Sequence, residues 1–287
     1  MLETMPHFVD SHQTAVAHYS VMVIGGAEDK VNERDILSAF FESAGAANAT
    51  IGIIPCASRE PQAVGTRYMH IFQQMGARNA HIIDIRSADE ANSPHWLNLL
   101  AQCSGVFVTG GDQVRLCDLI ANSEIIRLIR DRLGRNQLAL AGTSAGAAMM
   151  GATMIAGGSS GESPNPSLVD LSQGLGIIPE FLVDQHFHNR NRMARLLSAV
   201  AARPDKIGLG IDEDTCAALN NDGTLEVLGR GTITVVDPQF MTRTNYHEVA
   251  NQSPLCLHNL KLHVLSRGDR YDYRARTVLP VHSVPNA

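Results

Sequence analysis

The sequence predicts an α/β protein, a mostly parallel sheet covered by helices on both faces with an antiparallel margin towards the C-terminus. Three observations point there. Five short apolar runs in the first half alternate with stretches of helical periodicity, as strands buried on both faces do. Three of those runs end in glycine-marked turns, Gly25-Gly26, Gly110-Gly111 and Gly142-Thr-Ser-Ala-Gly146. From Thr215 the pattern changes to short alternating segments separated by Asn221-Asp-Gly223 and Gly229-Arg-Gly231, which are hairpin turn signals.

In chain order, residues 1–18 read as an N-terminal extension and 19–287 as one α/β domain. Tyr19–Ile24 is the first expected strand, and Ile36, Leu37, Ala39, Phe40 and Phe41 then fall at helical spacing. Thr50–Ile54 is a second strand, closed by Pro55, and a helix through Tyr68, Ile71, Phe72 and Met75 leads to a third at Ala80–Asp84. Helical Trp96–Gln102 precedes the strand Gly105–Thr109. Two helices, about Gln113–Ala121 and Glu124–Leu133, precede the apolar run that feeds Ser144. A polar Gly/Ser/Pro loop covers Gly157–Pro166. Val183–His188 reads as a strand end at the same sheet edge as Ser144, Ile207–Ile211 as a further buried strand and Leu260–Leu265 as a late one.

Composition narrows the function classes. A 287-residue chain that is 44% hydrophobic and 18% charged has ample material for a core. Its net charge of −6 argues against general binding to nucleic acid or an anionic membrane. Five scattered cysteines with no C-x-x-C fit neither a disulfide framework nor a zinc ribbon. No stretch is apolar enough to span a bilayer, and Met1–His18 lacks a signal-peptide pattern, so the expectation is a soluble cytoplasmic protein. Gly25-Gly-Ala-Glu28 lacks dinucleotide spacing, and there is no P-loop.

The chemistry centres on Gly142-Thr-Ser-Ala-Gly146. This is G-x-S-x-G between an apolar run and a stretch of small helix formers, the context of a nucleophile elbow. A plain β–α turn would also fit the motif alone. Ser144 is inert without a base, and of the twelve histidines His186 lies at an expected strand end beside Asp184-Gln185. His186 and His188 could instead be two metal ligands, although no third ligand with zinc spacing follows. For the acid that orients the base the sequence offers Glu162, Asp170 and Asp184, and local physics does not choose between Glu162 and Asp184. Oxyanion donors are expected from the backbone N–H groups of Ala145 and Gly111. Arg190, Arg192 and Arg195 suggest carboxylate recognition, with a solvated helix face as the ordinary alternative. Asp212-Glu-Asp214 suits a cation, a guanidinium or a local cap, and receives no assignment.

Taken together, Gly110-Gly-Asp-Gln113, Gly142–Ala147, Asp184-Gln-His-Phe187 with Arg190, Arg192 and Arg195, and Gly208–Asp214 resemble the cyanophycinase family. Val23–Glu28 and Leu262–Arg270 are similar to it as well, so the resemblance runs from about residue 19 to 275. It implies a fold like class I glutamine amidotransferases, a homodimer, and a serine exopeptidase needing no cofactor or metal. The implied reaction is hydrolysis of cyanophycin, poly-aspartate with arginine on each β-carboxyl, to β-Asp-Arg through an acyl-enzyme. Ser144 then matches the nucleophile, His186 the base and Glu162 the acid. Gln113, Asp184, Gln185, Arg190, Arg192 and Arg195 match substrate-binding positions. Cys216, where a small apolar residue is expected, and the N-terminal arm depart from the pattern. The alternatives are a peptidase E-type aspartyl or isoaspartyl dipeptidase, or a non-catalytic peptide binder.

Overall fold

A computed structural model describes residues 18–280, so the N-terminal extension apart from His18 lies outside the described residues. The first half forms the expected alternation: β1 (Val21–Ile24), α1 (Asp35–Ser43), β2 (Thr50–Ile54), α2 (Pro61–Gln74), β3 (Asn79–Ile82), α3 (Pro94–Ala101), β4 (Gly105–Val108), α4 (Gln113–Ile120), α5 (Glu124–Gly134) and β5 (Ala139–Thr143). Strands β1, β5, β4, β2 and β3 pair in that order, all parallel. Every residue of β1, β4 and β5 is buried, which is why these runs are continuously apolar or small rather than alternating. One face is covered by an aromatic cluster of Phe40, Tyr68, Phe72 and Phe107, with ring centroids 4.6–5.6 Å apart. Side-chain caps start three of the helices. Ser93 accepts from Trp96 N–H, Asp112 from Val114 and Arg115 N–H, and Ser123 from Ile126 N–H.

The second half departs from a single sheet with a margin. The helix after the elbow, α6 (Ala145–Ala148), lasts one turn, because the Met149 and Met150 carbonyls are taken by the N–H groups of Leu175, Ile177 and Ile178. The chain turns instead into an antiparallel pair, β6 (Thr153–Gly158) and β7 (Val169–Gln173). Next come β8 (Phe181–Gln185), α7 (Met193–Ala202) and β9 (Ile207–Ile211), a strand–helix–strand unit whose two strands pair in parallel. Then follow β10 (Thr215–Leu219), β11 (Thr224–Gly229), β12 (Ile233–Asp237), β13 (Arg243–Thr244), β14 (Leu257–His258), β15 (Lys261–Leu265), β16 (Arg270–Asp272) and β17 (Thr277–Leu279). Strands β10, β11, β16 and β17 extend the first sheet antiparallel from β1 to nine strands. The others matter more for the site. Strands β15, β12, β9 and β8 form a separate four-stranded sheet. It packs on the first through one shared apolar cluster that includes Val23, Val183, Leu209, Ala217 and Val235. His186 therefore follows a strand of the second sheet and not, as expected, one at the edge of the elbow's own sheet.

Candidate active site

The elbow forms as the G-x-S-x-G spacing predicts. Ser144 sits at φ 54 and ψ −113, a strained conformation for a residue with a side chain, between the end of β5 and the start of α6. Its N–H donates to Ile24 O at 3.0 Å, which anchors the turn to the neighbouring strand. Small neighbours are obligatory: a Cβ on Gly146 would lie 2.5 Å from Val108 O, and one on Gly142 would lie 2.3 Å from Gly146 O.

Ser144 Oγ lies 3.0 Å from His186 Nε2 and 3.4 Å from Gln185 Oε1. On the far side of the ring, Nδ1 is 2.6 Å from Glu213 Oε1. A carboxylate there can only accept, so Nδ1 carries the hydrogen and Nε2 faces the serine as an acceptor. Desolvation is the largest influence on the imidazole and holds it below the ordinary histidine range, against the opposing pull of Glu213. The ring is thus neutral and able to take a proton at neutral pH.

This partner corrects the expected acid. Glu162 is exposed in the loop between β6 and β7 and makes no hydrogen bond to His186. Glu213, of the acidic run Asp212-Glu-Asp214, takes that position. A signal was available. A strand–helix–strand unit aligns the ends of its two strands, here Gln185 opposite Ile211, so the residues just beyond them meet. Asp184 also leaves the candidacy. Its fully buried carboxylate accepts from Arg195 Nε at 2.8 Å and Nη2, and from Arg192 Nη1 at 3.3 Å. Asp170 is exposed on β7.

The expected substrate-binding residues divide accordingly. Arg192 and Arg195 are buried and committed to Asp184, and Arg192 also donates to Gln185 O. Burial pulls the Arg192 guanidinium down to about 10, still charged at neutral pH. The two arginines therefore brace Asp184-Gln185 beneath the base rather than presenting free forks. Arg190 is exposed, and among the described residues it has no carboxylate partner. Gln113 donates through Nε2 to Ile155 O at 3.3 Å and Ala156 O at 2.7 Å, where β6 bulges. Gln185 alone of the set touches Ser144. Among the described residues the N–H groups of Gly111 and Ala145 meet no intramolecular acceptor. Gly110 packs against Ser144, and a Cβ there would lie 3.1 Å from Ser144 Cβ.

The loop Gly25-Gly-Ala-Glu28 joins these pieces, a role its sequence did not reveal. Gly25 O accepts from His186 N at 2.9 Å, and Gly26 O from Asp214 N at 2.8 Å. Gly26 has φ 102, and a Cβ on it would lie 2.4 Å from His186 Cε1, so only glycine fits under the imidazole. Buried Glu28 closes the loop, accepting from Thr143 Oγ1 at 2.6 Å and from Tyr68 OH, and pairing with Lys30 at 3.0 Å. Burial first and the Glu28 charge second keep the Tyr68 phenol well above its usual range, and therefore a donor.

His188 does not share a face with His186. The chain turns at His186, φ 50, and His188 is exposed with Nδ1 3.0 Å from Asp212 Oδ1. Among the described residues no group of three His, Cys, Asp or Glu side chains is placed to hold a metal ion, and no helix is long and apolar enough to cross a membrane.

Known proteins similar to this chain identify its family and its fold. A cyanophycinase of Trichormus variabilis is 58% identical over 266 residues, spanning 92% of this chain and 89% of that protein. One of Geminocystis herdmanii is 54% identical over 253 residues, spanning 88% and 93%. A crystal structure of a peptidase from an acI-B1 Actinobacterium superposes with a TM-score of 0.65 over 89% of this chain and 98% of that one. At 18% identity that likeness is one of fold. The model of peptidase family S51 matches residues 21–227. The chain belongs to peptidase family S51 and is a serine-type peptidase.

Proposed function

We propose that this peptidase hydrolyses cyanophycin to β-Asp-Arg dipeptides through an acyl-enzyme on Ser144, with His186 as base and Glu213 as the acid that orients it. The observation that carries the chemistry is the relay from Ser144 Oγ to His186 Nε2, 3.0 Å, and from Nδ1 to Glu213, 2.6 Å. Relatives 50–58% identical over most of the chain and named cyanophycinases support the substrate.

In the first step Ser144 Oγ attacks a main-chain amide carbonyl while its proton passes to His186 Nε2. The N–H groups of Gly111 and Ala145 receive the oxyanion. Glu213 keeps the hydrogen on Nδ1 and stabilises the imidazolium, which then protonates the leaving amine. Water, with its proton taken by the same Nε2, releases the acyl group. Gln185, beside Oγ, is the substrate contact best supported among the expected set, with exposed Arg190 next. A cytoplasmic homodimer completes the reading. Exposed Phe240, Leu262 and Val264, on and beside β15, offer it an apolar surface, and sedimentation velocity tests it.

The direct test is incubation with purified cyanophycin and mass analysis of the soluble products, with α-Asp and β-Asp dipeptides in parallel. The expected result is β-Asp-Arg from the polymer and none from the Ser144→Ala protein. Dipeptide cleavage without release from the polymer would overturn the substrate assignment.

A further inference from the structure

A second basic feature lies beside the donor turn and outside the triad. A cleft of about 610 Å3 opens at Gly111 and is lined by Arg59, Asp112, Gln113 and Arg115. Its two arginines come from different elements. Arg59 follows the turn after β2, and Arg115 lies in the first turn of α4. The turns are locked together, since Asp112 N donates to Ala57 O at 2.9 Å. Both arginine side chains are exposed, and among the described residues neither has a carboxylate at ion-pairing distance. The Asp112 carboxylate is occupied in capping α4, accepting from Val114 N at 2.9 Å and Arg115 N at 3.1 Å. In a chain of net charge −6, the cleft thus holds two guanidinium groups against the single carboxylate of Asp112, which is turned to the helix N-terminus and pairs with neither. Arg192 and Arg195, by contrast, are consumed by Asp184.

We propose that Arg59 and Arg115 form a carboxylate-binding subsite that holds the free α-carboxylate of a substrate unit flanking the scissile bond. The inference rests on the cyanophycin reading above. In that polymer the arginine α-amine is acylated, so every side chain ends in a free α-carboxylate. Gly111 lines both this cleft and the donor turn, so a carbonyl held at its N–H would lie at the mouth of the cleft, with the neighbouring unit within its reach. The cleft volume lies within the range of roughly 300–1,000 Å3 usual for small-ligand sites. Guanidinium forks match carboxylates in two-point geometry, which an ammonium does not.

The test is steady-state kinetics on soluble cyanophycin segments of three or more units with the Arg59→Gln/Arg115→Gln protein. Loss of binding that is equal in ground and transition states should raise KM about tenfold with kcat within about twofold. The Arg59→Lys/Arg115→Lys protein should recover part of the loss. Arg127→Gln/Arg135→Gln removes the same charge from exposed ion pairs on α5 and at its C-terminal cap and should leave KM unchanged. The single variants, each expected to raise KM severalfold, keep the test readable if the double variant folds poorly. The subsite is refuted if KM stays at the wild-type value, if the α5 variant shows the same rise, or if the loss falls on kcat alone. Wild-type protein that releases nothing from cyanophycin overturns the parent reading and this one with it. Active wild type with unaffected variants overturns the subsite alone.

Discussion

Replacing Glu213 by Gln is the sharpest test of the relay. The amide keeps the size of the side chain but presents Nδ1 of His186 with a neutral group that can donate as well as accept. The imidazole then loses both the restraint on its tautomer and the charge that stabilises the imidazolium. A fully buried carboxylate in this position is worth about 10⁴ in kcat. The Glu213 side chain is 36% exposed, so water can replace part of its role. A loss of about 10³ is therefore expected, or ~4 kcal/mol of transition-state stabilisation. The assay is kcat on cyanophycin segments, with Glu162→Gln in parallel. That surface change should stay within about twofold of wild type. Because Glu213 raises the His186 pKa, its removal should also move the acidic limb of the pH profile to lower pH. Near-wild-type kcat in Glu213→Gln, or an equal fall in Glu162→Gln, refutes the assignment of the acid.

Three further outcomes follow from the same geometry. The kcat/KM profile of the wild-type protein should have its acidic midpoint below the ordinary histidine value of about 6.5, because burial disfavours the imidazolium in the free enzyme. A midpoint on the alkaline side of that value contradicts the burial argument. Asp184→Ala leaves the Arg192 and Arg195 guanidiniums buried and unpaired, and should cost about 3–5 kcal/mol in urea unfolding. A stability unchanged from wild type would mean that the cluster is solvated. Gly26→Ala places a methyl against the imidazole at a φ that disfavours side chains, so a displaced base, a lower kcat and a lower thermal midpoint are expected together. Full activity in that variant would show that the loop yields without moving His186.

Much of the fold was legible because it is written in local periodicity. The strand runs, the helix faces with their caps and the Asn-Asp-Gly hairpin turn each depend on residues close in the chain. So does the elbow, where Ser144 and its small neighbours Gly142 and Gly146 are contiguous. His186 could be singled out from its position after an apolar run. The second sheet was less legible. Nothing local distinguishes β8 from a further strand of the first sheet, and its pairing with β9 is a long-range choice.

Within the site, the sequence by itself marked Ser144, His186 and the glycine turns as the candidates, since each is flagged by neighbours a few residues away. Tertiary structure alone decided which carboxylate meets the base and which arginines stay free. Glu162 stands closer to His186 in the chain, yet it projects into solvent. Glu213 lies beyond the helix α7, and only the parallel pairing of β8 with β9 carries it to Nδ1. The arginines are divided in the same way. Arg192 and Arg195 are drawn inward because burying Asp184 requires paired counter-charges, whereas Arg59 and Arg115, with no buried carboxylate to pair, remain in the open cleft.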